Sequence, residues 1–365
     1  MRILLAPDTF KGTLSATEVS RAMARGAKLY EPTAEIDIAP MSDGGRGFAG
    51  RMLAAIGGET GSVSVEDQTG RIIEAEIAWL SDRRAAFDVA SVCGLRGAPT
   101  PDEALRASTF GVGQVLLHAA RSDRPLTSVI IGIGDTATTD GGTGAARAVG
   151  WRFLDRAGAD LAPGGAALRA LASIVRPPDP PDPGLHIVGG CDVSSGLLGP
   201  EGAARRFAPQ KGAGSREVGR LEAGLERLEV VIHSDLGVAV GALSGAGAGG
   251  GLGAGLVAFF GATIGSGFDI VAEASRIDER LARADVVLTG EGALDASSFA
   301  GKVTGRVARR AHAMGVPCAV ITGRVEASPE QLSHVGISVQ TLDPLEGPAP
   351  GVSKATQRAL QGLLD

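Results

Sequence analysis

The first apolar run, Ile3-Leu4-Leu5-Ala6, stops at Pro7-Asp8. Ser15-Ala16-Thr17-Glu18 then supplies the Ser-x-x-Glu capping box ahead of a helix carrying Val19, Met23 and Ala27 on one face. A second strand over Glu35 to Met41 ends in Ser42-Asp43-Gly44-Gly45 and leads to a helix through Met52 to Ile56. Such a βαβα opening predicts a parallel sheet. From Gly61 the rhythm changes: Ser62 to Val65, Arg71 to Trp79 and Ala85 to Val89 read as successive short strands, which predicts antiparallel pairing and a different domain. Ser128 to Ile133 and His186 to Cys191 are further strands, Thr143 to Val149 and Arg216 to His233 are helices, and Arg176 to Pro183 is a stiff loop rich in Pro and Asp. Strands at Val286 to Thr289, Cys318 to Thr322 and Ser338 to Leu342 restore the helix-strand alternation and join the first two.

These elements predict an α/β protein. A discontinuous doubly wound domain of five parallel strands occupies residues 1–60 and 266–365, and a large mixed α/β domain is inserted over 61–265. Ligands of open α/β sheets settle beyond the carboxyl ends of the strands, so the active site is expected there, between the domains.

Composition narrows the function. Aromatic residues are only 4% and the net charge is -6 without a basic block, which argues against a nucleic-acid partner. No apolar run is long enough to span a bilayer, and the first is too short for a signal peptide. Cys93, Cys191 and Cys318 have neither CxxC spacing nor disulfide density and read as buried reduced thiols of a cytoplasmic protein.

Candidate chemistry collects at strand ends. Asp43-Gly44-Gly45-Arg46-Gly47 and Asp140-Gly141-Gly142-Thr143-Gly144 each stand between a strand and a helix. The glycines allow close backbone approach to a ligand, the helix N-terminus favours an anion, and the Asp suits a hydroxyl or Mg²⁺. Each Asp also suits plain helix capping. Thr289-Gly290-Glu291-Gly292-Ala293-Leu294-Asp295, followed by Gly301-Lys302, brings two carboxylates and a lysine to the same edge, the parts needed for phosphoryl transfer from ATP. A surface ion pair between Asp295 and Lys302 is the plainer alternative.

Glu291 and Asp295 are expected to hold Mg²⁺; Lys302, Gly290 and the backbone of Gly247, Gly249, Gly250 and Gly251 are expected to cradle the phosphates. Asp8, Lys11, Asp43, Arg46 and Lys211 are expected to bind the acceptor, with Asp192, Asp295 and Lys302 as the catalytic groups and Asp192 orienting or deprotonating the hydroxyl. Gly245 to Gly250 also satisfies G-x-G-x-x-G, but no clear strand precedes it, and the chain has no Walker A loop.

Ala6 to Ser15, Ser42 to Gly45, Gly132 to Gly142, Cys191-Asp192-Val193, Phe207 to Gly212 and Gly290-Glu291-Gly292 together resemble the bacterial glycerate kinase family, in order over nearly the whole chain. The resemblance implies a flavodoxin-like domain with an inserted α/β domain, ATP and Mg²⁺ as cosubstrates, and conversion of glycerate to 2-phosphoglycerate. Departures fall at Arg46, where the family has Glu, at Phe110 and Ala293, where it has Arg, and at Ser195-Gly196, where it has Asn-Pro. Either Arg46 takes over the grip on the substrate carboxylate or the acceptor is another hydroxy acid or sugar acid. A nucleotide-cofactor dehydrogenase and a noncatalytic metabolite-binding regulator are the rival readings, and a homodimer is the possible assembly.

Overall fold

The computed structural model describes residues 1–178, 185–299, 301–328 and 337–364. Its strands are β1 (Arg2–Leu5), β2 (Glu35–Ile38), β3 (Gly58–Glu66), β4 (Ile72–Leu80), β5 (Arg84–Asp88), β6 (Ser128–Gly132) and β7 (Arg152–Leu154). There follow β8 (Ser173–Val175), β9 (His186–Gly190), β10 (Thr263–Gly265), β11 (Val286–Leu294), β12 (Cys318–Val325) and β13 (Ser338–Thr341). The chain forms two compact units, Met1–Asp43 with Phe268–Asp365, and Gly44–Gly267.

The first unit holds a five-stranded sheet in the order β13-β12-β11-β1-β2, parallel throughout. Numbered within the unit, that order is 2-1-3-4-5 read from the β2 edge, the flavodoxin-like arrangement. Ile3, Leu4 and Leu5 are fully buried, as a strand covered on both faces requires, which is why β1 reads as an unbroken apolar run. Val19, Met23 and Ala27 of the helix Ala16–Tyr30 pack in one core with Ile3, Leu5, Val286, Leu288 and Ile321, and Val352 and Leu360 of the C-terminal helix Pro348–Leu364 join them. The capping box is formed: the Glu18 amide donates to Ser15 Oγ at 3.3 Å, and Glu18 Oε2 accepts from the Ser15 amide at 2.8 Å.

The second unit holds a six-stranded sheet, β10-β9-β6-β5-β4-β3, and a separate β7-β8 pair. The pairs β3-β4 and β4-β5 are antiparallel, as the run of short strands predicts, while β5-β6, β6-β9 and β9-β10 are parallel. Crossing from β5 to β6 in parallel needs a helical connection, and the longest helix in it is Phe110–Ala120, which the sequence reading passed over. The helix Phe48–Ile56 also belongs to this unit. Asp88 at the end of β5 accepts hydrogen bonds from the backbone N–H of Gly47 and, at 2.7 Å, of Ala49. The first join between the units therefore falls at Asp43-Gly44, ahead of residue 60, and the second at Gly267-Phe268.

β11 runs on through Leu294, so Glu291 sits inside a strand rather than after one. Residues 179–183 of the Pro- and Asp-rich stretch lie outside the described residues. All three cysteines are buried and free. Among the described residues no helix is long and apolar enough to cross a membrane.

Candidate active site

At the carboxyl edge of the first unit's sheet lies a cavity of about 560 Å³ whose lining includes Asp8, Lys11, Asp43, Glu291, Asp295 and Lys302. Six residues singled out from the sequence thus share one cavity. Asp8 is aimed by hydrogen bonds that tie the end of β1 to β11: its amide donates to Gly290 O at 2.9 Å, and the Thr289 hydroxyl donates to Ala6 O at 2.8 Å. Gly290 itself is buried in β11, where a Cβ would meet Ile321 O at 2.1 Å, so its role is a fixed carbonyl and a close strand contact.

The carboxylates of Glu291 and Asp295 have opposite environments. Burial pushes Glu291 above the ordinary carboxylate value, against the lowering effect of the Ser298 and Thr304 hydroxyls and of Lys302. Its Oε1 is buried and has no hydrogen-bond partner. Asp295 is held below the ordinary value, first by the Ser297 hydroxyl and then by Lys302 and the Ser298 amide, which donates to Oδ1 at 3.1 Å. Lys302 Nζ stands 3.8 Å from Asp295 Oδ1 with both side chains more than a third exposed, so the ion pair is largely screened. Lys302 is also the N-cap of the helix Val303–Ala313, whose first-turn N–H groups carry the partial positive charge that favours an anion. Among the described residues no group of three or more His, Cys, Asp or Glu could hold a metal by itself. Mg²⁺ ordinarily takes one or two carboxylates and completes its shell with water and substrate phosphates, and Glu291 with its orphan oxygen beside Asp295 fits that donor set.

Arg46, Asp192, Lys211 and the glycine run belong to the second unit. Asp192 follows β9 and is half-buried. The Arg46 amide donates to Asp135 Oδ2 at 3.1 Å and its side chain is exposed; Asp135 holds a left-handed φ of 58° to reach it. Gly44 rests on the end of β9, where a Cβ would stand 2.3 Å from Gly190 O.

Lys211 is buried, its Nζ donating to Thr138 O at 2.6 Å and Thr136 Oγ1 at 3.2 Å. Its ammonium therefore secures the Thr136–Thr138 loop, and burial pushes its pKa down to about 8. Because the folded value lies below the unfolded one of 10.5, the buried charge costs stability below about pH 8 and the cost is relieved as pH rises toward 10.5. The melting temperature of the wild type relative to Lys211→Met is expected to rise between pH 7 and pH 10, by the equivalent of up to about 3 kcal/mol; a flat difference would refute the buried charge.

The glycine run differs most from a phosphate loop. Gly249, Gly250 and Gly251 all have positive φ, and no strand leads into them. A Cβ on Gly250 would lie 2.0 Å from Thr138 O, and the Gly141 amide donates to Gly250 O at 3.1 Å. Glycine is needed here because two backbones touch. Asp140 is likewise a cap: wholly buried, it accepts from the amides of Thr109 at 2.8 Å, Gly144 at 3.1 Å and Gly142 at 3.2 Å, and from Thr109 Oγ1. Asp88 was not singled out from the sequence, since a strand-end Asp carries no mark of the helix it will cap some forty residues away.

The sequence profile described as the glycerate kinase family matches residues 3–362. The chain belongs to that family. A glycerate kinase of Halalkalibacterium halodurans is 38% identical over 338 residues, covering 92% of this chain and 88% of the relative. The glycerate 2-kinase of Escherichia coli K12 is 37% identical over 326 residues, covering 88% of this chain and 85% of the relative. A crystal structure from Salmonella typhimurium LT2, assigned to glycerate kinase 2, superposes with a TM-score of 0.81 at 36% identity, covering 100% of this chain and 97% of that one. The chain is accordingly a phosphotransferase of the glycerate kinase family that uses ATP. A G-x-G-x-x-G dehydrogenase reading falls, because the glycine run lacks the preceding strand that fingerprint needs.

Proposed function

We propose that the enzyme transfers the γ-phosphoryl group of ATP to the 2-hydroxyl of glycerate, with Mg²⁺ held by Glu291 and Asp295. The observation carrying this reading is the cavity itself: a buried, unpartnered carboxylate oxygen on Glu291 beside ionised Asp295 and Lys302, at the ligand edge of a doubly wound sheet. Bound Mg²⁺ would supply charge neutralisation to the phosphates. Lys302 and the N-terminus of the helix Val303–Ala313 add positive potential for the transferring group. Asp8, Lys11 and Asp43 orient the acceptor. In the second unit, Lys211 secures the Thr136–Thr138 loop and Arg46 presents an exposed cation.

Ala293 lines the same cavity, so the loss of an arginine there keeps another hydroxy acid as the second reading. An ADP-release assay over D-glycerate, L-glycerate and a panel of hydroxy and sugar acids decides between them. Fastest turnover on one glycerate enantiomer, with 2-phosphoglycerate as product, is expected. Turnover of another acid at least tenfold faster would transfer the assignment to that acid, and ligand-induced thermal stabilisation without any ADP would indicate a regulator.

A further inference from the structure

The first unit's cavity has a second end that the phosphate and metal groups leave unused. Its floor follows the strand order, with Asp8 and Lys11 after β1, Glu291 on β11, Arg324 on β12, and Leu342, Asp343, Pro344, Glu346 and Pro348 after β13. Neighbouring strands lie about 4.8 Å apart, so β13 stands roughly 10 Å from β11 and roughly 14 Å from β1. Lys11, Lys302, Glu291 and Asp295 are thus at one end, Arg324 lies between, and a pair of acids with apolar residues is at the other.

We propose that the β13 end takes the nucleoside of ATP, with Asp343 and Glu346 accepting hydrogen bonds from the ribose hydroxyls and Leu342, Pro344 and Pro348 flanking the base. The inference rests on the phosphoryl-transfer reading above and adds the direction in which the nucleotide lies. Two carboxylates would repel a triphosphate, whereas a vicinal diol donates to carboxylates, the usual way an acid beside a nucleotide recognises ribose.

The local structure is built for that pairing. The Glu346 amide donates to Asp343 O at 3.1 Å, a turn that brings both acids to the cavity. Leu342 is anchored by its amide, which donates to Thr322 O at 2.9 Å. Asp343 Oδ1 accepts from the Leu345 amide at 2.9 Å, fixing the carboxylate. Lys354 Nζ bonds Glu346 Oε1, while Oε2 is buried without a hydrogen-bond partner. A buried acceptor left this way calls for a donor.

Steady-state kinetics with ATP, 2′-deoxyATP and 3′-deoxyATP on the wild type, Asp343→Ala and Glu346→Gln test the assignment. The wild type is expected to lose about tenfold or more in kcat/KM on at least one deoxy analogue, through KM. Each variant is expected to raise KM for ATP by about tenfold without moving KM for the acceptor, and to narrow the gap between ATP and that analogue. A general structural disturbance would raise both KM values and preserve the gap, and would overturn the proposal, as would equal use of all three nucleotides by the wild type. If no acceptor is phosphorylated, the phosphoryl-transfer reading fails separately. Calorimetry with ATP and the two deoxy analogues then decides the pocket alone, equal affinities overturning it and a loss on a deoxy analogue supporting it.

Discussion

Asp295→Asn is expected to lower kcat/KM for ATP by about a hundredfold or more while moving the melting temperature by no more than about 3 °C. Asparagine keeps an Oδ1 acceptor for the Ser298 amide, so the short turn that Asp295 closes is retained. What is lost is charge: Asp295 is held ionised by the Ser297 hydroxyl and Lys302, and it stands beside Glu291, whose burial favours the neutral form. On the proposed metal site, removing the carboxylate that ionises more readily would leave the divalent ion with a single, reluctant protein ligand. Activity should recover partly at high Mg²⁺, and a titration showing the same half-saturating Mg²⁺ as the wild type would remove Asp295 from the metal site.

Asp140→Ala is expected to destabilise the protein by about 3 kcal/mol or more, measured by denaturant unfolding. Its carboxylate satisfies three buried amides and the Thr109 hydroxyl, and alanine would strand all of them in the interior. Burial raises its pKa, against the lowering effect of those same bonds. Asp140→Asn keeps one acceptor and should cost less. A loss below about 1 kcal/mol for alanine would mean that water replaces the carboxylate there.

Local signals were the legible part of this fold. The capping box needs only Ser15 and Glu18, and β1 announces itself because burial on both faces demands an unbroken apolar run. Asp8, Lys11, Asp43, Glu291, Asp295 and Lys302 could be grouped in advance because the carboxyl edge of a parallel sheet is implied by strand order alone. The burial of Lys211 was illegible for the opposite reason: its partners lie 73 and 75 residues away, and a lysine on a loop looks the same in sequence whether it faces solvent or a carbonyl. The glycines at 249–251 show a similar ambiguity, since positive φ serves backbone packing as well as it serves a phosphate. β10 spans three residues, too short for any periodicity to mark.

The order of synthesis makes the discontinuous sheet slow to complete. β1 is synthesised well before its partner, since its Ile3 is aligned with Val286. Until then β1 has only β2 beside it, and its unpaired edge is exposed while the continuous Gly44–Gly267 segment is already free to fold. Truncation anywhere before β11 therefore leaves a two-strand remnant with an open edge, a form prone to aggregate, so intact translation of β11 to β13 guards the solubility of β1 and β2.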